Sequence, residues 1–309
     1  MDAIKIVTGA GPVGWNVASQ LANEGHQVRL LTRSGSGPAH PLIERLRADV
    51  GDPAQLHTAM EGADAVFHCI HGSKYAAEAW RRELPRAEAA VMKAAGEAGA
   101  VVVFPESLYA YSTPENVMTE RSPRLASTGK RGVRTALLAA RAASPTKTVS
   151  VVASDFFGPQ VRMAHAGDRM VPLILGGKRV QVMGSTESPH SFTYVPDLAS
   201  AMIKAATVPE AWNSIVHAPT LSALSQRELA DAFATAAGVP APRVSSVPGW
   251  IVRAAGIFSS EMREMTEMLY QFQGPFVMDS TASEKLLGLS PTPLESAARA
   301  TIAWWRTQG

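Results

Sequence analysis

The sequence predicts an α/β protein in which a doubly wound parallel sheet is accompanied by a smaller, interleaved C-terminal domain. Two observations predict this fold. In the first half of the chain, short apolar runs of β type alternate with segments of helical periodicity, which is the pattern of parallel strands joined by right-handed crossovers. The first of these runs, Ile4 to Thr8, passes directly into a glycine-rich turn that opens a helix.

The alternation predicts six strands, at Ile4 to Thr8, Val28 to Thr32, Leu46 to Asp49, Ala65 to Ile70, Val101 to Phe104 and Thr148 to Ala153. Helices are predicted at Pro12 to Glu24, Pro53 to Met60, within Ser73 to Ala98, and at Thr128 to Ala143. The regular alternation ends after Gly158. We therefore expect residues 1–157 to form a nucleotide-binding domain, with later returns near 190–217, and residues 158–309 to form mainly a substrate-capping domain.

Charge and composition exclude several classes of protein. The 309 residues include 29 Lys and Arg against 27 Asp and Glu, so a net charge of +2 gives no broad field for nucleic acid or an anionic membrane. No apolar stretch approaches the roughly 20 residues of a membrane helix. The single cysteine, Cys69, excludes an intramolecular disulfide. A cytoplasmic protein is therefore expected.

The turn after the first strand carries a dinucleotide-binding motif. Gly9, Gly11 and Gly14 form G-x-G-x-x-G, with Pro12 and Val13 opening the helix. In such a motif the first glycine permits the tight turn, the second lets the backbone approach a pyrophosphate, and the third lets helix and sheet pack closely. The helix N-terminus would then hold the pyrophosphate. These features predict a Rossmann domain; the alternative is that the glycines serve only as a turn.

The end of the second strand favours NADP over NAD. An NAD-specific site places Asp or Glu about 20 residues after the glycines, where it binds the ribose 2′-hydroxyl. This chain has Arg33, followed by Ser34, nineteen residues beyond Gly14. A guanidinium pairs with a 2′-phosphate, which a carboxylate would repel. The alternative is that Arg33 only caps the strand end in solvent.

Several segments, taken in order, resemble one superfamily. They are TGAGPVG from Thr8, ADVGD from Ala48, GADAVFH from Gly62, ASDFFGP from Ala153 and SFTYVPD from Ser191. On these motifs the chain resembles the extended and atypical branches of the short-chain dehydrogenase/reductase superfamily, the NAD(P)-dependent epimerase/dehydratase-like proteins. The likeness runs through nearly the whole length and implies an enzyme that moves hydride between a nicotinamide coenzyme and a small substrate.

The resemblance also implies further coenzyme contacts. Asp49 and Val50 would flank the adenine; Cys69, Ile70 and His71 would line the ribose and nicotinamide side; and Asp155 and Phe156 would border the nicotinamide. Plain alternatives are that Val50 and Ile70 belong to the core and that His68 and His71 are ordinary hydrogen-bonded histidines. No metal site is expected. His68 and His71 are three positions apart on the predicted strand, so their side chains point to opposite faces and cannot bind one ion together.

The superfamily's catalytic residues are only partly present. It uses a Ser or Thr after the fifth strand, together with a Tyr followed four positions later by Lys, whose charge favours the phenolate. Ser107 supplies the first, but Thr128 and Gly132 occupy the other two positions. The candidate catalytic residues are therefore Ser107, Tyr111 and Lys130. Tyr109 and Glu106 are alternatives, and each candidate could instead be a packing or surface residue.

Two functions follow from this mixture. The favoured one is an NADP-dependent oxidoreductase or nucleotide-sugar epimerase-like enzyme acting on a hydroxyl or carbonyl of a small substrate. The alternative is a redox-inert NAD(P) sensor, because the Tyr/Lys pair is missing. A serine hydrolase is excluded because the chain has no G-x-S-x-G elbow.

Two further expectations concern partners. Six basic residues and no acidic one lie between Arg121 and Arg141, which indicates either an anionic substrate or a solvated helix face. An apolar stripe in the third predicted helix indicates either a homodimer interface or a face that packs on the sheet. Its members are Trp80, Leu84, Ala87 and Val91.

Overall fold

The computed structural model describes residues 3–251, 254 and 259–308. Its strands are β1 (Ile4–Thr8), β2 (Val28–Thr32), β3 (Ile43–Arg47), β4 (Ala63–His68), β5 (Val101–Ser107), β6 (Thr148–Ala153), β7 (Asp155–Phe157), β8 (Val180–Met183), β9 (Phe192–Tyr194), β10 (Ser214–His217) and β11 (Val244–Val247). Seven of them form one sheet in the order β10-β6-β5-β4-β1-β2-β3, and every pairing in it is parallel. This is the predicted doubly wound sheet.

The helices whose full length is described lie on both faces of the sheet and in the C-terminal part. They are α1 (Pro12–Asn23), α2 (Pro53–Met60), α3 (Ala77–Glu97), α4 (Gly129–Ala142), α5 (Val171–Leu175), α6 (Val195–Ala206), α7 (Gln226–Ala237), α8 (Ser260–Thr266), α9 (Tyr270–Gln273), α10 (Thr281–Leu287) and α11 (Leu294–Arg306). None of the described helices is long and apolar enough to cross a bilayer.

Apolar side chains are buried on both faces of the central sheet. Val7 of β1 packs with Leu21 of α1 and Met202 of α6, whereas its neighbour Ile6 packs on the opposite face with Val91 of α3. Successive residues of a strand point to opposite faces, and a parallel sheet covered by helices on both sides buries both sets. The continuous apolar runs of the first half arise from this arrangement.

The predicted strand limits differ from the observed ones mainly at the sheet edge. β3 spans Ile43–Arg47 rather than Leu46 to Asp49, because it is the edge strand and exposes polar side chains such as Glu44 and Arg45. β4 ends at His68, two residues before its predicted end. β5 continues to Ser107, because pairing with β6 extends to the Ser107 and Ala153 pair. The first two shifts place Asp49, Cys69 and Ile70 in loops.

A second apolar cluster lies in the C-terminal part of the chain. It joins Phe157, Val180 and Phe233 to Ile302, so that α7 packs against α11. β8 and β11 form a separate two-stranded parallel sheet. β10 returns to the main sheet beside β6, and α6 packs on α1. The exact division into residues 1–157 and 158–309 stays a prediction.

The apolar stripe of α3 packs inside the chain. Trp80 and Leu84 contact Val133 and Leu137 of α4, and Val91 lies in the cluster on the sheet. Trp80 and Val91 are completely buried in the single chain. These side chains are therefore not available to a second subunit, and the homodimer stays a prediction without their support.

Buried His68 makes the stability of the fold depend on pH. The ring nitrogen Nδ1 of His68 lies 2.8 Å from the hydroxyl of Thr8, and burial, with the charge of Arg141, lowers the pKa of His68 from 6.5 to about 3. The unfolded chain therefore binds a proton at this residue below pH 6.5, whereas the folded chain does not until about pH 3. Stability from this group is complete above pH 6.5 and is lost as the pH falls.

We expect His68→Asn to flatten the acid side of the stability profile. Each proton taken up on unfolding changes the free energy of unfolding by about 1.4 kcal/mol per pH unit, so the profile should lose about that slope between pH 6 and 4. Urea unfolding at a series of pH values measures it. His57→Asn, at an exposed position, is the matched control. An unchanged slope in His68→Asn would contradict the lowered pKa.

Candidate active site

The loop between β1 and α1 has three glycines with three different surroundings. Gly9 has φ +88°, and a Cβ there would lie 3.0 Å from the carbonyl oxygen of Cys69. A Cβ at Gly14 would overlap the carbonyl oxygen of Gly9, so α1 approaches the loop closely. A Cβ at Gly11 would meet no atom within 4 Å. Gly9 and Gly14 are therefore required by the fold, whereas Gly11 faces open space.

The N-terminus of α1 is free to bind an anion. Gly11 is its N-cap and supplies no side-chain hydrogen bond, and Pro12 occupies the first turn. The backbone N–H groups of Val13 and Gly14 consequently have no capping partner from the Gly11 position. Unpaired N–H groups and the positive end of the helix dipole favour a phosphate group. The open space at Gly11 fits a diphosphate at this loop.

The ends of β2 and β3 present basic and polar side chains to solvent. Arg33 is exposed and makes no hydrogen bond or ion pair with any described residue. The hydroxyl of Ser34 lies 2.8 Å from that of Ser36. Arg47, at the end of β3, packs over the turn at Gly35. An unpaired guanidinium beside two hydroxyls is suited to binding a phosphate group.

Asp49 and Val50, in the loop after β3, differ in exposure. Asp49 is exposed, and its carboxylate accepts a hydrogen bond from the N–H of Gly51 at 2.8 Å. Val50 is buried and packs with Leu31 and Leu56. Asp49 is thus accessible to a ligand, whereas most of the Val50 side chain belongs to the core.

The loop after β4 closes over the glycine loop. The N–H of Cys69 donates to the carbonyl of Thr8 at 2.9 Å. A Cβ at Gly9 would meet the backbone carbonyl of Cys69 and the side chain of Ile70. Burial raises the pKa of the Cys69 thiol, so the thiol stays protonated. His71 packs edge-on against Trp80 with ring centroids 4.6 Å apart. His71 is an exposed residue, yet desolvation by the protein packed around its ring, with the charge of Arg134, lowers its pKa to about 4.

Ser107, at the end of β5, is held by a buried charge network. Its N–H and its hydroxyl both donate to the Glu106 carboxylate, at 2.7 and 3.3 Å. The other oxygen of Glu106 accepts from Arg141 at 2.8 Å, and Arg141 also binds both oxygens of Glu88. Because the Glu106 side chain is completely buried, this network sets the position of Ser107 and keeps Glu106 out of the cleft. By the cleft we mean the space at the carboxyl ends of the strands, around Ser107, Tyr109 and Asp155.

The two candidate tyrosines after β5 have different partners. The hydroxyl of Tyr109 lies 2.9 Å from that of Tyr75, whose residue is 41% exposed. Burial raises the pKa of Tyr109 to about 12, with a further contribution from the charge of Asp155. Tyr111 is completely buried, and its hydroxyl lies 2.6 Å from Nε2 of His217. Tyr109 is therefore the phenol that is linked to solvent.

Lys130 is completely buried beneath α8 and the residue that follows it. Its ammonium group lies 2.5 Å from the carboxylate of Glu264 and 2.9 Å from that of Glu267, and it sits 4.7 Å from the ring centroid of Tyr75. Glu264 also accepts from the N–H of Ala77 at 3.3 Å, at the start of α3. Lys130 thus supports the wall of the cleft rather than projecting into it.

Half of the six basic residues from Arg121 to Arg141 are paired with carboxylates. Lys130 and Arg141 bind carboxylates from elsewhere in the chain, and Arg134 lies 3.5 Å from Glu106. Arg124 and Arg131 donate to backbone carbonyl groups and keep their charge, and Arg121 is exposed. The three buried members of the run are therefore structural and do not support an anionic substrate.

Asp155, the first residue of β7, lies at the carboxyl-terminal ends of the central strands, as Ser107 does. It comes two residues after Ala153, the strand partner of Ser107. Its Oδ2 lies 2.9 Å from Nε2 of His190, and its side chain is 23% exposed. Phe156 is half-buried next to it. Ser107, Tyr109 and Asp155 are thus the polar groups that the fold brings to this edge.

The sequence of the chain matches a known protein family. A model described as the NAD dependent epimerase/dehydratase family matches residues 5–216, about two thirds of the chain. The chain belongs to this family. The 3 beta-hydroxysteroid dehydrogenase/Delta 5→4-isomerase of Mycobacterium tuberculosis is 39% identical over 69 residues, which cover 22% of this chain and 19% of that protein. The 3-beta-hydroxysteroid dehydrogenase of Mycolicibacterium neoaurum is 35% identical over the same shares. The match spans about a fifth of these relatives' length.

Solved structures of similar fold cover nearly the whole chain. The Bordetella bronchiseptica enzyme WbmH in complex with NAD+ has a TM-score of 0.74 at 18% identity and covers 100% of both chains. UDP-glucose 4-epimerase of Thermotoga maritima has a TM-score of 0.74 at 16% identity over 99% of both chains. An epimerase of Methanothermobacter thermautotrophicus reaches 0.77 at 18% identity, over 99% of this chain and 93% of its own. At these identities the likeness shows the fold.

In this epimerase/dehydratase family member, the local fold excludes a side chain at the position where the family's Tyr/Lys pattern has Lys. Thr128 is the exposed N-cap of α4, and Gly132 lies one turn later. A Cβ at Gly132 would lie 2.5 Å from the carbonyl oxygen of Ser127. No side chain fits there without a shift of the backbone, so a lysine at this position is incompatible with the local fold.

Sequence reasoning missed several cleft residues. Tyr75, His190, Tyr270 and Gln271 come from segments that no motif marks. Their partners are distant in sequence; Asp155 and His190, for example, are separated by 35 positions.

Proposed function

We propose that the chain is an NADP-dependent oxidoreductase or nucleotide-sugar epimerase-like enzyme that acts on a hydroxyl or carbonyl group of a small substrate. The observation that carries this proposal is the uncapped N-terminus of α1 with open space at Gly11, at the sheet edge where Ser107, Tyr109 and Asp155 meet. In open α/β sheets, ligands bind outside the carboxyl ends of the strands. The matched proteins described above are enzymes, which favours an enzyme over a redox-inert sensor.

The residues that would hold the coenzyme follow the loops at this edge. We assign the diphosphate to Gly9, Gly11, Pro12, Val13 and Gly14, the 2′-phosphate to Arg33 and Ser34, the adenine to Asp49 and Val50, the ribose and nicotinamide side to Cys69, Ile70 and His71, and the nicotinamide to Asp155 and Phe156. When bound, the nicotinamide ring accepts or supplies a hydride.

Ser107 and Tyr109 would bind the oxygen of the substrate. Because the pKa of Tyr109 is raised to about 12, its phenol stays protonated near neutral pH and donates a hydrogen bond. The hydroxyl of Tyr75, 2.9 Å away, extends this hydrogen bond toward solvent. Tyr111 and Lys130 remain candidates from the sequence pattern, but their buried contacts with His217 and with two carboxylates favour structural roles.

We expect Arg33→Asp to reverse the preference between the two coenzymes. Wild-type protein should bind NADPH more tightly than NADH, because a hydrogen bond between charged groups contributes about 1.5–3 kcal/mol. The substitution removes this contribution and adds repulsion, so the NADPH to NADH affinity ratio should fall by about 100-fold or more. Titration calorimetry measures both affinities. Arg121→Asp, also exposed, controls for net charge. Equal affinities in the wild type would refute the preference for NADP.

Turnover decides between the enzyme and the sensor. Wild-type protein is incubated with NADPH and a panel of ketones, aldehydes and nucleotide sugars, and coenzyme oxidation is followed at its absorbance maximum. An enzyme oxidises the coenzyme with at least one class of carbonyl compound. Tight binding of NADPH without oxidation on any compound would support the sensor instead.

A further inference from the structure

Both ring nitrogens of His190 face oxygen atoms that accept hydrogen bonds. Its ring nitrogen Nδ1 lies 3.2 Å from the carbonyl oxygen of Gln271, and Nε2 lies 2.9 Å from Oδ2 of Asp155. A carbonyl oxygen accepts a hydrogen bond and cannot donate one, and neutral imidazole has one N–H. Both contacts are satisfied only if a second proton lies between His190 and Asp155.

His217 provides a contrast within the same molecule. Its Nδ1 also faces a carbonyl oxygen, that of Asp279, at 2.7 Å. Its Nε2, however, faces the hydroxyl of Tyr111, which can donate a hydrogen bond. Neutral His217 therefore satisfies both contacts, and burial lowers its pKa. The two buried histidines differ in whether the partner of Nε2 has a proton to give.

The surroundings of His190 favour the charged imidazolium. The ring stacks on Phe272 with centroids 5.1 Å apart and planes 4° from parallel, and Phe276 lies 5.2 Å away. A cation beside aromatic faces is attracted to their π electrons. The carboxylate of Asp155 supplies the balancing charge at 2.9 Å.

The second carboxylate oxygen of Asp155 is not used by the described protein. Its Oδ1 has no hydrogen bond with any described residue, and the side chain is 23% exposed. Gln271, which is 2% exposed, interacts through its side chain with the hydroxyl groups of Tyr109 and Tyr270. Nδ1 of His165 is buried and has no hydrogen-bond partner in the part of the chain that the structure describes. Oδ1 is therefore the oxygen of Asp155 that is open to a ligand.

We propose that Asp155 and His190 form the proton-exchanging pair of this cleft, with Asp155 as the catalytic base and His190 as its positioning residue. This inference rests on the proposed function. The nicotinamide, when bound in its oxidised form, would supply the hydride acceptor for the breaking C–H bond of the substrate, and Asp155 would accept the hydroxyl O–H proton. The C–O single bond becomes a carbonyl group. The reverse transfer, from protonated Asp155, accompanies reduction.

The titratable side chains His165, Tyr75, Tyr109 and Tyr270, which lie around Asp155 and His190, are neutral near pH 7. Burial lowers the pKa of His165 to about 4, and burial raises the pKa of Tyr75, Tyr109 and Tyr270. Charged side chains around these groups come from several elements, namely Glu267, Arg131, Arg134 and Arg169. The phenols can pass a proton along but cannot themselves become bases near neutral pH, so the cleft needs a carboxylate for this task.

The protonation of His190 can be measured without any substrate. In full-length protein labelled with ¹⁵N-histidine, nuclear magnetic resonance distinguishes imidazolium from the two neutral forms. At pH 7 to 8 we expect His190 to show two protonated ring nitrogens and His217 to show one. In Asp155→Asn, His190 should become neutral with the proton on Nδ1. A neutral His190 in the wild type would overturn the proposal.

Kinetics test the catalytic step with the carbonyl compound that gives turnover. Asp155→Asn should lower kcat by about 100-fold across pH 6 to 9, because a positioned acid or base contributes about that much. Calorimetry with NADPH measures separately how far the variant's coenzyme affinity has changed. His190→Gln, which keeps a hydrogen bond to Asp155 but not the charge, should change the pH profile of kcat. Asp168→Asn, at an exposed position, is the matched control.

Two results separate failure of this proposal from failure of the proposed function. If Asp155→Asn stays folded, binds NADPH and keeps wild-type kcat with the same pH profile, the pair is structural and the proposal is overturned. If calorimetry detects no coenzyme binding to the wild-type protein, the proposed function fails, and the catalytic role assigned to Asp155 fails with it. Circular dichroism of each variant confirms its folding.

Discussion

Replacing Gly11 by Ala should abolish coenzyme binding while leaving the protein folded. A Cβ at Gly11 meets no protein atom within 4 Å, so the added methyl group occupies only the space where a diphosphate would approach the backbone. We expect affinity for NADPH to fall by at least about 1,000-fold, which corresponds to roughly 4 kcal/mol. The free energy of unfolding should fall by about 1 kcal/mol, because Ala is a poorer N-cap than Gly, and the φ of −69° at Gly11 is one that Ala adopts.

Gly14→Ala is the matched comparison, because its defect should appear in the fold. The added Cβ would overlap the carbonyl oxygen of Gly9, and helix and loop must separate. Such overpacking costs about 3 kcal/mol, which urea unfolding measures. Calorimetry and unfolding together then separate the ligand-facing glycine from the packing glycine. Wild-type affinity in Gly11→Ala would show that no diphosphate lies at this loop.

Replacing Arg141 by Met should cause a large loss of stability. Arg141 is 3% exposed and neutralises two buried carboxylates, those of Glu88 and Glu106. Removing one member of a buried ionic network leaves uncompensated charge and costs about 3–5 kcal/mol. Urea unfolding at pH 7 measures this loss. Arg121→Met, at an exposed position, should have almost no effect.

A triple variant checks the cause of that loss. Adding Glu88→Gln and Glu106→Gln to Arg141→Met removes the unpaired charges while keeping similar side-chain volumes. Part of the lost stability should return, because a buried network replaced as a whole costs much less than a network broken at one member. If the triple variant were no more stable than Arg141→Met, the lost packing of Arg141 on Phe104, at 4.1 Å from the ring centroid, would be the larger contribution.

The fold was predictable because its signals are local. Alternating apolar runs mark buried parallel strands, and the motif at Gly9 to Gly14 marks the first strand, turn and helix. The limits of β1, β2 and β6 agree with the predicted ones. β3 was displaced because an edge strand exposes alternate polar residues and has no continuous apolar run. The positions of the loops that follow β1 and β2 were predictable from the same signals.

The cleft itself was less predictable because its contacts join distant parts of the chain. Lys130 is the clearest example. The sequence pattern placed it among catalytic candidates, but its partners Glu264 and Glu267 lie more than a hundred positions away and bury it. The basic run containing Arg141 suggested an open positive surface for the same reason. Local patterns show which side chains are present, whereas tertiary pairing decides which of them are free.

The Arg141 network also limits how this chain can diverge. Glu88, Glu106, Arg141 and the hydroxyl of Ser107 form one connected set, drawn from α3, β5 and α4. A change at any one member leaves a buried charge or donor without its complement, so single-step drift at these positions passes through an unstable intermediate. Mutational freedom is correspondingly greater around Arg33, where no described neighbour depends on the side chain.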